Sequence, residues 1–188
     1  MEFKNKTILF LGSSVTYGSA SQGVSFVDII RDTCGSNCVK EAVSGTTLAD
    51  IEERSYVSRL KKVDPNTPVD LFICQLSTND AAKKIELSKT EEAIRFILEY
   101  VQKTFHCPMA FYTGTYFNNE RYEQMIALLY ELKKEYAFEI LDMFNDPEMR
   151  AIDPELYREY MRDPVHPRLV GYQEWWTPKF VEFIKQLP

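Results

Sequence analysis

The chain has 188 residues, of which 45% are hydrophobic and 27% charged, so its length fits one domain spanning residues 1–188. Twelve Phe, eleven Tyr and two Trp supply more apolar surface for burial than an intrinsically disordered chain carries. The net charge of −6 repels phosphate backbones, which argues against a nucleic-acid partner.

Short apolar runs predict five strands along the chain. Three of them, residues 7–12, 71–76 and 109–113, lack polar alternation and are typical of parallel strands buried on both faces. Two weaker candidates cover residues 38–43 and 138–143.

Helical spacing separates these strands. One apolar stripe comprises Ile94, Ile97, Leu98 and Val101, and a second comprises Met125, Leu128, Leu129 and Leu132. A last helix is expected over residues 172–187, with one apolar face formed by Trp176, Phe180, Phe183, Ile184 and Leu187. The alternation predicts an α/β fold in which helices cover both faces of a five-stranded, mostly parallel sheet.

Beyond the strands and helices, the sequence has one long stretch without a regular hydrophobic pattern. Residues 146–170 contain four prolines and form the longest stretch expected to be irregular. The four cysteines lack a Cys-x-x-Cys pair and the chain has two histidines, so we expect buried free thiols and no metal site. With no membrane span and no signal peptide apparent, we expect a cytoplasmic chain; the oligomeric state is left open.

Polar residues follow the first three predicted strands. They are Gly12-Ser13-Ser14 after the first, Ser44-Gly45 after the second and Ser77-Thr78-Asn79-Asp80 after the third. The carboxyl ends of parallel strands meet at one edge, where ligands of open sheets bind. With the flavodoxin-like strand order 2-1-3-4-5, Ser14 lies between Gly45 and Asn79.

A serine nucleophile needs a base, and the chain offers His106 and His166. His106 precedes the strand at Met109, at the opposite edge of the sheet, and is expected to have a structural or surface role. His166 lies in the irregular stretch, where a loop can reach the carboxyl edge. Asp163, three residues earlier, is spaced to accept the Nδ1 proton of His166.

Four blocks in this order resemble those of the SGNH hydrolases, the GDSL esterase and lipase family. The blocks are Gly12-Ser13-Ser14, Ala42-Val43-Ser44-Gly45, Ser77-Thr78-Asn79-Asp80 and Asp163-Pro164-Val165-His166-Pro167. The resemblance spans residues 7–187. It implies the catalytic roles of nucleophile for Ser14, general base for His166 and orienting acid for Asp163, with no cofactor. It also implies an oxyanion hole formed by the N–H groups of Ser14 and Gly45 and the side-chain amide of Asn79.

Two positions depart from the family pattern. Ser13 replaces an Asp that organises the loop, and we expect its hydroxyl to do so in part. Ser77 replaces a Gly, and it would be strained if that position required a positive φ.

Plainer structural roles compete with the catalytic ones. Ser14 is a candidate N-cap of a helix, Gly45 a candidate turn glycine, and Asp80 is expected to cap the helix that follows it. For Trp175 and Trp176 we expect packing roles. Tyr17, Tyr116 and Phe117 follow strand ends and are candidates to line an acyl or sugar pocket.

These features predict a serine esterase acting on a small-molecule ester. Small or short-chain esters fit the compact chain, and acetyl groups on carbohydrates are one such class. Short-chain lysophospholipase or thioesterase activity is an alternative. A third hypothesis is a ligand-binding module on the same fold that has lost turnover; a fluorophosphonate probe, which labels an activated serine, distinguishes it from the enzyme.

Overall fold

The structure is a computed structural model that describes residues 4–187. Strands and helices alternate along the chain. The strands are β1 (Thr7–Gly12), β2 (Asn37–Ala42), β3 (Leu71–Gln75), β4 (Met109–Tyr112) and β5 (Glu139–Leu141). The α-helices are α1 (Ser14–Tyr17), α2 (Phe26–Cys34), α3 (Tyr56–Leu60), α4 (Thr78–Ala82), α5 (Leu87–Thr104), α6 (Glu120–Leu132), α7 (Pro147–Arg150), α8 (Pro154–Tyr160), α9 (Leu169–Gly171) and α10 (Thr177–Gln186).

The five strands form one parallel sheet in the order β2-β1-β3-β4-β5. Each neighbouring pair is parallel, with Leu9 opposite Val39 on one side and Phe72 on the other. The predicted α/β fold and strand order are therefore confirmed. The order places the end of β1 between the ends of β2 and β3.

Helices cover the sheet on both faces, and each face has its own core. On one face α3, α5 and α6 pack on side chains that include Leu9, Phe72 and Phe111. On the other face α2 and the C-terminal helices pack on Phe10, Ile73 and their neighbours. Phe26 of α2 stacks on Phe180 of α10 with ring centroids 3.8 Å apart, which ties the C-terminal helix to the start of the chain.

The predicted helical stripes lie in α5 and α6. All four residues of the first stripe are buried, as are three of the second, while Leu128 is half-buried. The last helix differs from the prediction, because its first turn, Tyr172–Trp176, is a π-helix and α10 ends at Gln186. Leu187 is buried just beyond the helix.

Residues 146–170 are less irregular than predicted. They contain α7 and α8, and in both helices an Asp caps the N-terminus directly before a Pro at the first position. Asp146 accepts from the N–H groups of Glu148 and Met149, and Asp153 caps α8 in the same way. Proline is well suited to the first turn, since its missing N–H has no helical partner there. These prolines therefore begin helices.

The four cysteines are free thiols, as predicted. Cys74 is fully buried, as predicted, whereas Cys34, Cys38 and Cys107 are only half-buried. Across residues 4–187, no helix combines the length and the apolar character that crossing a membrane requires.

Candidate active site

Ser14 and His166 are 152 residues apart in sequence but in contact in the fold. Ser14 is the first residue of α1, directly after the end of β1, and is largely buried. Its Oγ lies 2.8 Å from His166 Nε2. The structure therefore brings the predicted nucleophile within hydrogen-bond reach of the predicted base.

Asp163 lies on the far side of the same imidazole. Its Oδ1 and Oδ2 lie 2.8 and 2.9 Å from His166 Nδ1. Because an ionised carboxylate only accepts, Nδ1 carries the proton and Nε2 is left to accept from the Ser14 hydroxyl. This is the tautomer that a general base needs.

The Asp163 carboxylate is held ionised by its own loop. Partial burial favours the neutral carboxyl, but hydrogen bonds from the Val165 N–H and from the ring and N–H of His166 outweigh it. They lower the pKa of Asp163 to about 2. The orienting group therefore stays charged at any pH at which an esterase would work.

A tight hairpin holds the His166 loop at the sheet edge. The Arg162 N–H donates to the His166 carbonyl, and Met161 forms an antiparallel bridge with Pro167. Farther along, the buried Tyr172 hydroxyl donates a 2.7 Å hydrogen bond to the Val15 carbonyl. The C-terminal segment is thus anchored directly to the helix that carries Ser14.

The turn before Ser14 is organised by Gln75, the last residue of β3. Its buried Oε1 accepts from the Ser13 N–H at 2.9 Å and from the Thr16 hydroxyl at 2.8 Å. A Cβ at Gly12 would overlap the Thr16 hydroxyl, so the turn needs glycine there. The Ser13 hydroxyl approaches Gln75 only at 3.4 Å, so its expected loop-organising role falls mainly to Gln75.

The Asn79 side chain contacts the loop after β2 that contains Gly45. The Asn79 side-chain amide donates a 2.8 Å hydrogen bond to the Thr46 carbonyl, which fixes it against the loop after β2. An amide has two N–H donors, so one remains for a ligand. Gly45 has a φ of +81°, a conformation that favours glycine, and its carbonyl accepts from Lys83 Nζ.

Arg59 of α3 connects the turn after β1, which precedes Ser14, to the loop after β2, which contains Gly45. Its side chain is buried, and its guanidinium donates to the Gly12 carbonyl at 2.7 Å and to the Thr46 hydroxyl at 3.3 Å. It also donates to the Glu41 carbonyl at the end of β2. Burial lowers the pKa of Arg59 from its ordinary value. One cation thus holds the ends of β1 and β2 in register.

In the third block the condition for strain at Ser77 is not met, and the expected cap by Asp80 is wrong. Ser77 has a φ of −72°, so no strain arises there, and its hydroxyl caps α4 by accepting from the Asp80 N–H. Asp80 is therefore not the cap. Its buried carboxylate accepts from the N–H groups of Leu48 and Ala49, 32 and 31 residues away, and so fixes the loop after β2. Burial raises the pKa of the Asp80 carboxyl, although the hydrogen bonds that it accepts act to lower this pKa.

The capping role considered for Ser14 is also wrong. Ser14 lies inside α1, and the preceding Ser13 holds the N-cap position without a side-chain capping hydrogen bond. The Ser14 hydroxyl is directed to His166 instead. His106, the other histidine, is exposed at the amino end of β4, as expected.

The three candidate substrate-binding aromatic residues separate into two places. Tyr116 and Phe117 line a cavity of about 670 Å³ that also includes Pro164 of the His166 loop, but not Ser14 or His166. Tyr17 lies outside this cavity, with Lys40 over its ring. Trp175 lines the cavity as well, whereas Trp176 is buried in the core, so packing describes Trp176 better than Trp175.

A family model described as GDSL-like lipase/acylhydrolase matches residues 10–174. The chain belongs to this family. The match to this family model confirms the expected resemblance to the SGNH and GDSL hydrolases. No curated protein sequence matches the chain.

Solved structures share the fold of this acylhydrolase family member. A protein from Lactobacillus plantarum superposes with a TM-score of 0.83 at 18% identity, with 97% of each chain covered. AlinE4, an SGNH-hydrolase family esterase, gives 0.64 at 21% identity over 98% of each chain. A family two carbohydrate esterase from Clostridium thermocellum, in complex with cellohexaose, gives 0.68 at 13% identity, covering all of this chain and 67% of that one.

Sequence reasoning missed three residues that organise this site. Gln75 carried a signal, as a polar residue ending the apolar run of β3 immediately before the third block. Arg59 had no sequence signal for its buried role, because a single arginine in a short helix is ordinarily found on a solvent-exposed face. The role of Asp80 depended on a contact with a loop more than 30 residues away.

Proposed function

We propose that this member of the acylhydrolase family is a single-domain serine esterase that works through an acyl-enzyme. The observation that carries the proposal is the continuous line of contacts from Ser14 Oγ to His166 Nε2 and from His166 Nδ1 to Asp163. A hydroxyl, an imidazole and a carboxylate in this order form the arrangement that activates a serine.

The reaction proceeds in two stages. Ser14 Oγ attacks the ester carbonyl carbon while its proton passes to His166 Nε2, and the Ser14 N–H, the Gly45 N–H and the Asn79 amide stabilise the oxyanion. The bond to the alcohol then breaks, and His166 returns the proton to the leaving oxygen. In the second stage His166 takes a proton from water, which attacks the acyl carbon and releases the acid and Ser14.

The substrate class is an ester with a short acyl group. Ser14 does not line the 670 Å³ cavity, which is left for a part of the substrate other than the acyl group. Acetyl esters, including those of carbohydrates, fit this arrangement. The activity is carried by the chain's own residues, without a cofactor.

The test is hydrolysis of p-nitrophenyl esters from acetate to octanoate at one pH near neutrality. The wild type should prefer acetate, and Ser14→Ala should lose turnover by about 10⁴-fold or more. Ser88→Ala, at an exposed serine of α5, is the matched control and should keep wild-type rates. An unchanged rate in Ser14→Ala would overturn the proposal, and a preference for octanoate would overturn the short acyl group.

A further inference from the structure

The cavity beside the His166 loop has the dimensions and lining of a ligand pocket. Its volume of about 670 Å³ lies within the usual range of small-molecule sites. Its walls come from the loop after β4, from α7 and α8, from Pro164 and from Trp175. Trp175 is half-buried and packs against Tyr157, with ring centroids 6.3 Å apart, so an aromatic wall is already in place.

The charged groups in this lining are all positive. Arg150 and Arg158 are its ionisable side chains other than tyrosine, and among residues 4–187 no Asp or Glu lines the cavity. This is notable in a chain with 28 acidic and 22 basic residues. The cavity thus combines an apolar floor with two cations at its rim.

Neither cation is neutralised by a close carboxylate. Within residues 4–187, no acidic side chain lies within 4.0 Å of the Arg150 guanidinium, which is held over the Tyr116 ring at 4.2 Å from its centroid. Arg158 has Glu155 at 3.9 Å, but both side chains are more than 70% exposed, so the pair is screened by water. Guanidinium groups in this state bind carboxylate or phosphate groups well.

The cavity lies at the same edge of the sheet as Ser14, because its Tyr116 and Phe117 follow the carboxyl end of β4. Two strand spacings separate β1 from β4, which amounts to about 10 Å. This strand spacing, with Pro164 of the cavity wall two residues before His166, places the cavity near enough for one end of an ester bound at Ser14. Since the proposed acyl group is short, we assign that end to the alcohol.

We propose that the Arg150–Arg158 cavity binds an anionic group on the alcohol portion of the substrate, so that the physiological substrate is a short-chain ester of an alcohol bearing a carboxylate or a phosphate. This inference rests on the proposed esterase function and names its substrate class. The ring of the alcohol packs against the aromatic wall, and the anion is bound by the two guanidinium groups.

The kinetic test uses acetate esters of one phenol scaffold that carry different terminal groups. They are 3-(4-acetoxyphenyl)propanoate, its neutral propanamide, and 2-(4-acetoxyphenyl)ethyl phosphate, assayed at low ionic strength. The wild type should show a kcat/KM about tenfold higher for an anionic ester than for the amide, and this advantage should shrink with added salt. A larger advantage for the propanoate identifies a carboxylate, and one for the phosphate ester identifies a phosphate.

Replacing both arginines in Arg150→Met/Arg158→Met should bring the ratio of anionic to neutral kcat/KM to about one. Arg121→Met, at a surface arginine of α6 outside the cavity, is the matched control and should keep the ratio. A ratio of one in the wild type, or a preference that persists in the double variant, would overturn the inference.

A binding measurement separates this inference from the proposed function. Ser14→Ala should bind 3-(4-hydroxyphenyl)propanoate or 2-(4-hydroxyphenyl)ethyl phosphate with saturable quenching of Trp175 fluorescence, and the double arginine replacement should remove it. Binding without turnover in the wild type would refute the esterase and support the cavity. Turnover of the neutral ester with neither binding nor charge preference would refute the cavity alone.

Discussion

The guanidinium of Arg59 donates a 2.7 Å hydrogen bond to the carbonyl oxygen of Gly12, two residues before Ser14. The same nitrogen approaches the hydroxyl of Thr46, which directly follows Gly45. The N–H groups of Ser14 and Gly45 are proposed oxyanion donors that follow different strands, and this buried cation helps to fix their spacing. Arg59 is therefore a positioning residue, since it acts through the loops it holds.

Arg59→Lys should lower kcat at least tenfold while leaving KM within about twofold, because a lysine ammonium cannot bridge both loops with the planar guanidinium geometry. Arg59→Met should also unfold at lower temperature, since hydrogen bonds from a charged group contribute about 1.5–3 kcal/mol each. Steady-state kinetics on Arg59→Lys, with circular dichroism to establish folding, provide the check. A folded Arg59→Lys with wild-type kcat would show that the bridge serves stability alone.

Asn79→Ala should reduce kcat by about 10²–10³-fold with a small effect on KM, since an oxyanion donor acts on charge that forms in the transition state. The same change also removes the hydrogen bond to the Thr46 carbonyl. Asn66→Ala, in the exposed turn before β3, is the control for a general effect of asparagine loss. If Asn79→Ala retains wild-type kcat, the amide is a structural tie and not an oxyanion donor.

Asp163→Asn should lower kcat by about 10³–10⁴-fold, because an amide no longer enforces the proton on His166 Nδ1.

Asp163 should also affect the stability of the protein. The folded pKa of about 2 lies below the ordinary 3.8, so the wild type gains stability from this group above about pH 3.8 and loses it as pH falls through about 2. The difference in Tm between wild type and Asp163→Asn should therefore shrink toward pH 2, and a constant difference would contradict this account.

The sheet, and the contact between the three proposed catalytic residues, could be predicted from sequence because their signals are local. Ser14, Asp163 and His166 lie in short blocks, and the strands are uninterrupted apolar runs. The prolines of residues 146–170 indicate turns, but Asp-Pro at 146–147 and 153–154 is equally a helix start. Sequence alone therefore does not predict α7 and α8, which carry both arginines of the cavity.

The supporting residues were less accessible because their partners are distant in the chain. Arg59 bonds to Gly12 across 47 residues and Asp80 to Leu48 across 32, and no periodicity encodes such pairs. For Ser77, the family's glycine left open whether the position needs a positive φ, and the structure answers this with an ordinary φ of −72°. Contacts that fix loops against each other follow from the fold and not from the pattern of residues.

Reaction with a fluorophosphonate probe, followed by intact-mass and peptide mass spectrometry, tests the central claim most directly. The account predicts one adduct per wild-type chain, located on Ser14, none in Ser14→Ala, and strongly slowed labelling in His166→Ala because the hydroxyl loses its base. An unlabelled, folded wild type, or an adduct on another serine that persists in Ser14→Ala, would contradict the assignment of Ser14 as an activated nucleophile.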